Sequence, residues 1–312
     1  MRLLYAGVLA LVIQCGLLAG ASSAASPSAE TNDQLKARIE RLKAVLAGDV
    51  CTDPAARALL SLSSGAGGAP DAAGTAPSSP PRSAGKGAPA AALSRGQLVE
   101  ALNKAVVLVI AARDTGSGFF ITPDLVVTNN HVVTTAVNRE VAVVGGGTGG
   151  VRKARIIDQT ARQDGRDYAI LRVEGFSNDH FLALSDTAGE LTRVVAAGYP
   201  GLLLDNDMNF RALLRGDVEA LPDLALSQGA VMALQNRDRG LMTIAHSAPI
   251  SGGNSGGPLV DTCGRVLGVN TFINVSVQQA TSAGFALSSR DLLAYLSAKG
   301  IVPTRRDEPC QE

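Results

Sequence analysis

Apolar and polar positions change rhythm several times along the chain. Residues 3–19 are apolar behind the positive start Met1-Arg2, and small residues follow over 21–26. From 33 to 47, Leu35, Ile39, Leu42 and Leu46 recur at helical spacing among Lys36, Arg38, Glu40, Arg41 and Lys43. That pattern predicts an amphipathic helix about two heptads long, too short for an isolated coiled coil. Periodicity then vanishes: 27 of the 32 residues from 61 to 92 are Ala, Gly, Pro or Ser. Such a tract cannot bury enough apolar surface to offset its ordering entropy, which predicts a disordered linker.

Order resumes at Ser94, where Ser94-x-x-Gln97 has capping-box spacing and predicts a short helix toward Asn103. Val- and Ile-rich runs then follow at 106–110, 117–121, 125–128, 140–144, 151–158 and 168–173, divided by turns such as Gly145-Gly146-Gly147 and Asp164-Gly165. A second set lies at 194–198, 226–233, 241–246, 258–260, 266–274 and 284–287, with a longer segment of loop and strand character over 200–226. Residues 288–299 carry helix signals: Ser288 at the start, Leu292, Leu293 and Leu296 on one side, Gly300 and Pro303 beyond. The expected fold is all-β, with two tandem antiparallel six-stranded β-barrels (about 104–175 and 190–288) closed by a C-terminal helix. A short N-terminal helix and the linker precede them. The expected layout is 1–25 signal peptide, 26–60 helical segment, 61–92 linker, 93–303 main domain and 304–312 tail.

Composition narrows the functions. Lys+Arg and Asp+Glu both number 28, and there is no basic run interleaved with aromatics, so no nucleic-acid partner is expected. The first 25 residues read as a secretory signal, with an uncleaved membrane anchor as the rival reading; cleavage gives a secreted or periplasmic protein with no stable membrane insertion. Self-association would be weak and run through 33–47. Cleavage of the signal leaves Cys51, Cys263 and Cys310, and the sequence does not choose among their pairings. No cysteines or histidines stand at ligand spacing, so neither metal nor other cofactor is expected.

The sharpest chemical feature is Gly252-Gly253-Asn254-Ser255-Gly256-Gly257-Pro258-Leu259. Glycines let the backbone turn tightly, exposing Ser255 Oγ while nearby N–H groups converge. The Gly253 and Ser255 amides would form an oxyanion hole. The same cluster fits an ordinary hairpin turn, or the nucleophile elbow of α/β-hydrolases. The elbow requires a histidine downstream of the serine, and the last histidine is His246. Of the candidate bases, His180 lies in a polar loop and His246 on an alternating strand, which suits a structural role. His131 ends an apolar strand at Thr128-Asn129-Asn130-His131, where a general base is held rigidly. Asp167, heading Tyr168-Ala169-Ile170-Leu171, is the best orienting carboxylate, with Asp164 in a Gly-containing turn as the fallback.

Four blocks together resemble the trypsin-like serine peptidases, nearest the bacterial HtrA/Deg branch: Gly116-Ser117-Gly118-Phe119, Thr128-Asn129-Asn130-His131-Val132, Asp167-Tyr168-Ala169-Ile170-Leu171 and Gly253 to Leu259. The resemblance covers about 105–287 and implies a secreted endopeptidase acting on protein or peptide substrates. Its implied triad is His131, Asp167 and Ser255, with Gly253 and Ser255 as oxyanion donors. It also implies a substrate pocket around Ile250, Thr271, Phe272, Ile273 and Gly284, none acidic, expected to favour small or medium aliphatic side chains. Only 57 residues follow Ser255, so the PDZ domains common in that branch are not expected. The alternative is a trypsin-fold protein without useful turnover, binding peptides as a scaffold in the cell envelope.

Overall fold

The computed structural model describes residues 89–311, except 162–164, 237–239 and 277–280; the side chains of 272–276 and 281 are also outside the description. The signal, the 33–47 helix, Cys51, most of the linker and Asp164 therefore lie outside the described residues. Ala90–Ala91 (β1) close the linker tract as a strand, paired in parallel with Cys310–Gln311 (β14). The last residues of the expected linker and of the expected tail thus supply hydrogen-bond partners to each other.

Helix α1 (Arg95–Ala105) begins at Ser94 with the expected reciprocal capping box to Gln97 and buries Leu98 and Leu102. Barrel one comprises β2 (Val106–Ala111), β3 (Asp114–Phe120), β4 (Leu125–Thr128), β5 (Glu140–Val144), β6 (Arg152–Gln159) and β7 (Ala169–Val173). They close in the order β2-β3-β4-β7-β6-β5. Barrel two comprises β8 (Arg193–Gly198), β9 (Ala225–Gln235), β10 (Thr243–His246), β11 (Pro258–Asp261), β12 (Val266–Ser276) and β13 (Thr281–Ser288), closing as β10-β13-β12-β11-β8-β9. Both barrels are antiparallel, as the two sets of short runs predicted.

The segment after β8 differs from expectation. It forms two short helices, α2 (Gly201–Leu204) and α3 (Met208–Leu214), with Asp207 capping α3 through Asn209 and Phe210 N–H. Leu202, Leu203, Met208, Leu214 and Val218 remain exposed, so no alternating buried face marked the segment as either element. Helix α4 (Ser289–Ala298) is capped by Ser288 and buries Leu292, Tyr295 and Leu296.

Strand β2 is apolar at every position because it faces two cores. Val107 and Val109 pack inside barrel one with Phe120, Val126 and Leu171. Val106 and Leu108 face the other way, into a cluster that takes in Tyr199 and Val269 of barrel two and Leu292 and Leu296 of α4. Two-residue periodicity thus builds a barrel interior and an inter-barrel seam from one strand. Tyr168, fully buried, stacks on Tyr295 with ring centroids 5.7 Å apart and donates to Ser288 O at 3.3 Å. Tyr295 in turn donates to Asp158 Oδ1 at 2.5 Å, clamping α4 across barrel one.

The turn after β11 is held by charge and by sulfur. Asp261 is 1% exposed, and its Oδ1 accepts from Cys263 N and Arg265 N, both at 3.0 Å. Its Oδ2 accepts from Arg265 Nε at 2.8 Å and Nη2 at 2.6 Å, while Arg265 Nη1 donates to Glu308 O. Cys263 and Cys310 are joined as a disulfide across 47 residues, which settles the pairing left open by the sequence. Asp261 and these two sulfurs lie close together. The sulfurs are bonded to each other and the carboxylate is engaged by Arg265, so the cluster is a structural clasp.

Arg265→Met should destabilise the protein by about 3–5 kcal/mol, because Asp261 is left charged and unpaired in the interior. Pairing it with Asp261→Leu should recover much of that loss. Urea unfolding of the three proteins checks this; a single-variant cost under about 1 kcal/mol would contradict a buried, structurally required ion pair.

Candidate active site

His131 opens a 3-10 turn over His131–Val133, directly after β4, with Val132 and Val133 buried beneath it. Asp167 lies two residues before β7, which pairs with β4. Adjacent strand ends therefore present the two side chains to each other. Asp167 Oδ2 lies 2.5 Å from His131 Nδ1, and Oδ1 accepts from His131 N at 2.9 Å. One carboxylate thus grips both the ring and the backbone of the histidine, fixing the imidazole's orientation and requiring the proton on Nδ1. Nε2 is then the free basic atom.

Two asparagines brace this arrangement. Asn129 Nδ2 donates to Asp167 O at 2.7 Å and to Thr271 Oγ1 of barrel two at 3.2 Å. Asn130 Nδ2 donates to Thr160 O at 3.0 Å, and Thr160 Oγ1 accepts from Tyr168 N at 3.0 Å. Sequence reasoning reads Asn129-Asn130 only as a polar turn and gives them no role. Two consecutive amides at the end of a buried apolar strand are the available signal, since buried polar groups need partners.

The serine turn is fixed from the other barrel. Ser117 N donates to Ser255 O at 2.8 Å. Ser117 Oγ donates to Gly253 O at 2.7 Å and accepts from Tyr199 N at 2.9 Å. Gly256 N donates to Asn270 O at 2.8 Å, and Asn270 N to Gly257 O at 2.9 Å. Gly256, at φ +87°, passes so close to Ser117 O that a Cβ would fall 2.1 Å away, so only glycine fits.

The direction of the Gly253 and Ser255 amides, the expected oxyanion donors, follows from peptide geometry. Gly252 O accepts from Gly201 N at 2.8 Å, and Asn254 O accepts from Gly257 N at 3.0 Å. In a trans peptide the N–H opposes the C=O. These two bonds therefore turn the Gly253 and Ser255 amides the other way, and neither donates to an acceptor among the described residues. Gly253 holds φ at +98°, the left-handed region this turn requires. Ser255 Oγ donates to Thr271 O at 3.2 Å; among the described residues no hydrogen bond joins it to His131.

The expected pocket residues separate. Ile250 lines a cavity of about 310 Å³ with Pro200, Leu203, Leu226, Pro249 and Asn254, on the side of α2 and β9. Thr271 lies beside Ser255, accepting its hydroxyl. Phe272 and Ile273 belong to β12, with side chains outside the description. Gly284 is buried beneath the ring of His246. His180 is exposed, its N–H donating to Asn178 Oδ1 at 2.9 Å, far from the role of a base. His246 is fully buried on β10, as its alternating strand suggested.

Residues 116–269 match the family model for a trypsin-like peptidase domain. The chain is similar to serine protease HTRA1 of Xenopus laevis, 33% identical over 188 residues that cover 59% of this chain and 36% of that protein. It is also similar to the serine protease Do-like HtrA of Bacillus subtilis, 29% identical over 59% of this chain and 36% of that one. A third relative is the probable periplasmic serine endoprotease DegP-like of Bartonella henselae, 32% identical over 60% of this chain and 34% of its own length. The chain thus spans about a third of the length of these relatives. A crystal structure of an inactive form of Rv3671c from M. tuberculosis superposes with a TM-score of 0.50 at 23% identity, covering 66% of this chain and 91% of that one, which shows the shared fold.

Burial of His246 pushes its pKa down from 6.5 to about 4, outweighing nearby Ala248 and Asn270, which favour the charged form. The neutral ring is thus preferred on folding. Its stabilising contribution is complete above pH 6.5 and is lost as pH falls from there through 4, amounting to roughly 3 kcal/mol. Wild-type stability should therefore fall across that window more steeply than that of His246→Leu, as followed by denaturant melts at pH 7, 5.5 and 4. Parallel curves for the two proteins would contradict the assignment.

Proposed function

Because residues 116–269 form a trypsin-like peptidase domain related to those of HtrA serine proteases, we propose that this chain is a serine endopeptidase that cleaves proteins through an acyl-enzyme. The observation that carries this reading is the two-point hold of Asp167 on His131, at 2.5 Å to Nδ1 and 2.9 Å to the backbone N–H. A carboxylate so placed favours one tautomer and stabilises the imidazolium that forms when the base accepts a proton.

In this mechanism Ser255 Oγ leaves Thr271 O by rotation about its Cα–Cβ bond and gives its proton to His131 Nε2 as it attacks the scissile carbonyl. The Gly253 and Ser255 amides, free of other acceptors among the described residues, receive the developing oxyanion. His131 then passes the proton to the departing amine, and a water molecule, activated by the same imidazole, releases the acyl group. The amino-terminal pattern of residues 1–25 supports export, to the periplasm or beyond. No helix among the described residues is long and apolar enough to cross a membrane.

A fluorophosphonate probe should label Ser255 in the wild type and fail on Ser255→Ala. Asp167→Asn should lower kcat on a protein substrate by about 10⁴-fold with little change in stability, since the wrong tautomer is then favoured. Unlabelled Ser255 in folded protein, or a loss below about 10-fold in Asp167→Asn, would overturn the triad.

A further inference from the structure

The exposed leucines of the 201–226 segment take no part in the mechanism above. Leu203 stands between two cavities. One, of about 310 Å³, has Pro200, Leu202, Leu226 and Ile250 in its walls. The other, of about 450 Å³, has Met208, Leu224, Asp207 and Asp223 in its walls. Leu203 and Ala225 belong to both, so the cavities form one groove between α2, the start of α3 and β9. Leu202, Leu203 and Met208 are 73%, 56% and 68% exposed along it, apolar surface of the kind that marks an interaction site.

The groove changes character along its length, apolar at the Ile250 end and acidic at the other. Asp207 caps α3 with Oδ1 and accepts from Asp223 N with Oδ2 at 2.7 Å, which sets the two acidic residues side by side. The Asp223 side chain is exposed, and no hydrogen bond or ion pair engages it among the described residues. Residues 201–226 carry five acidic side chains against Arg211 and Arg215, in a chain whose formal net charge is zero. The groove therefore presents apolar surface inside a locally negative field.

That combination defines the partner's chemistry. An anionic lipid surface or a nucleic acid is repelled by it. A wholly apolar partner would strip water from the Asp223 carboxylate with nothing in return. A polypeptide carrying both a large apolar side chain and a lysine or arginine satisfies both ends. The long stem of the basic residue covers Met208 while its charged head reaches the carboxylate. In an extended chain, side chains two residues apart point the same way, which matches two cavities that share a wall.

The groove also adjoins the site. Ile250, Ser251 and Asn254 in its wall belong to the loop that ends at Ser255, and Gly201 N of α2 donates to Gly252 O of that loop at 2.8 Å. We infer that the groove docks a segment of the protein substrate away from the scissile bond. A leucine, methionine or phenylalanine enters the apolar cavity, and a lysine or arginine two residues away meets Asp223. This rests on the reading of Ser255 as nucleophile and adds affinity without chemistry, so docking lowers KM and leaves kcat unchanged.

The test uses fluorescein-labelled Gly/Ser peptides with the core Lys-Ser-Leu-Ser-Lys, Glu-Ser-Leu-Ser-Glu or Lys-Ser-Ser-Ser-Lys, binding to the full chain as Ser255→Ala and read by anisotropy. The first should bind at least about 10-fold more tightly than the third, from burial of the leucine side chain. It should exceed the second by about 3- to 10-fold, an exposed ion pair being exchanged for repulsion. Leu203→Asp should weaken both leucine peptides by about 10-fold, and Asp223→Lys should reverse the Lys/Glu order. Joined to a sequence that the wild type cleaves, the first core should lower KM by about 10-fold relative to an all-Ser core, with kcat unchanged. Equal or absent binding of the three peptides overturns the site, as does an unreversed order in folded Asp223→Lys. An equal KM for the two joined peptides overturns its role toward substrate. If Ser255 resists the fluorophosphonate while the peptides bind in the expected order, the peptidase reading falls and the groove stands. If Ser255 is labelled and the peptides bind equally, the peptidase reading stands and the groove falls.

Discussion

The site depends on one side chain that carries no chemistry of its own. Ser117, on β3 of barrel one, holds the Ser255 turn of barrel two through its backbone N–H and its hydroxyl at once. The same hydroxyl accepts from Tyr199 N, at the end of β8. Each barrel closes its own hydrogen-bond ladder, so the seam between them is mostly side chain against side chain. Ser117 bonds the backbone of one barrel to that of the other beside His131 and Ser255, and Val151 N does the same at a distance from them, donating to Val218 O at 2.9 Å. Asn129 adds a second stitch, from Asp167 to Thr271.

That arrangement explains why glycine crowds this region. Gly116 lies against Val132 and Ser255 O, and Gly256 against Ser117 O and Thr128 Oγ1. Close backbone approach lets hydrogen bonds set the angles of the serine turn, and a Cβ on either side would push the barrels apart. Rigidity here comes from directional bonds, while the apolar clusters on either side supply the stability.

Much of the fold can be read from the chain because its signals are local. Ser94 and Gln97 form a capping box wherever the helix they start is packed, and twelve short β-rich runs divided by turns specify barrel strands before any tertiary contact is known. His131, Asp167 and Ser255 are likewise visible as polar residues interrupting or heading apolar strands. What stays hidden depends on distant partners. The paired strand at Ala90–Ala91 looks disordered in sequence, because its order comes from Cys310 and Gln311. Helices α2 and α3 leave several leucines exposed, so no periodic buried face announces them. Asn129 and Asn130 read only as a polar turn, because nothing along the chain shows that Asp167, Thr271 and Thr160 receive their amides.

The parallel pairing of Ala90 with Cys310, and the bridge from Cys310 to Cys263, bring the domain's entry and exit strands side by side on one turn. A unit whose incoming and outgoing chain share one portal can hang from other polypeptide without being pulled at opposite poles.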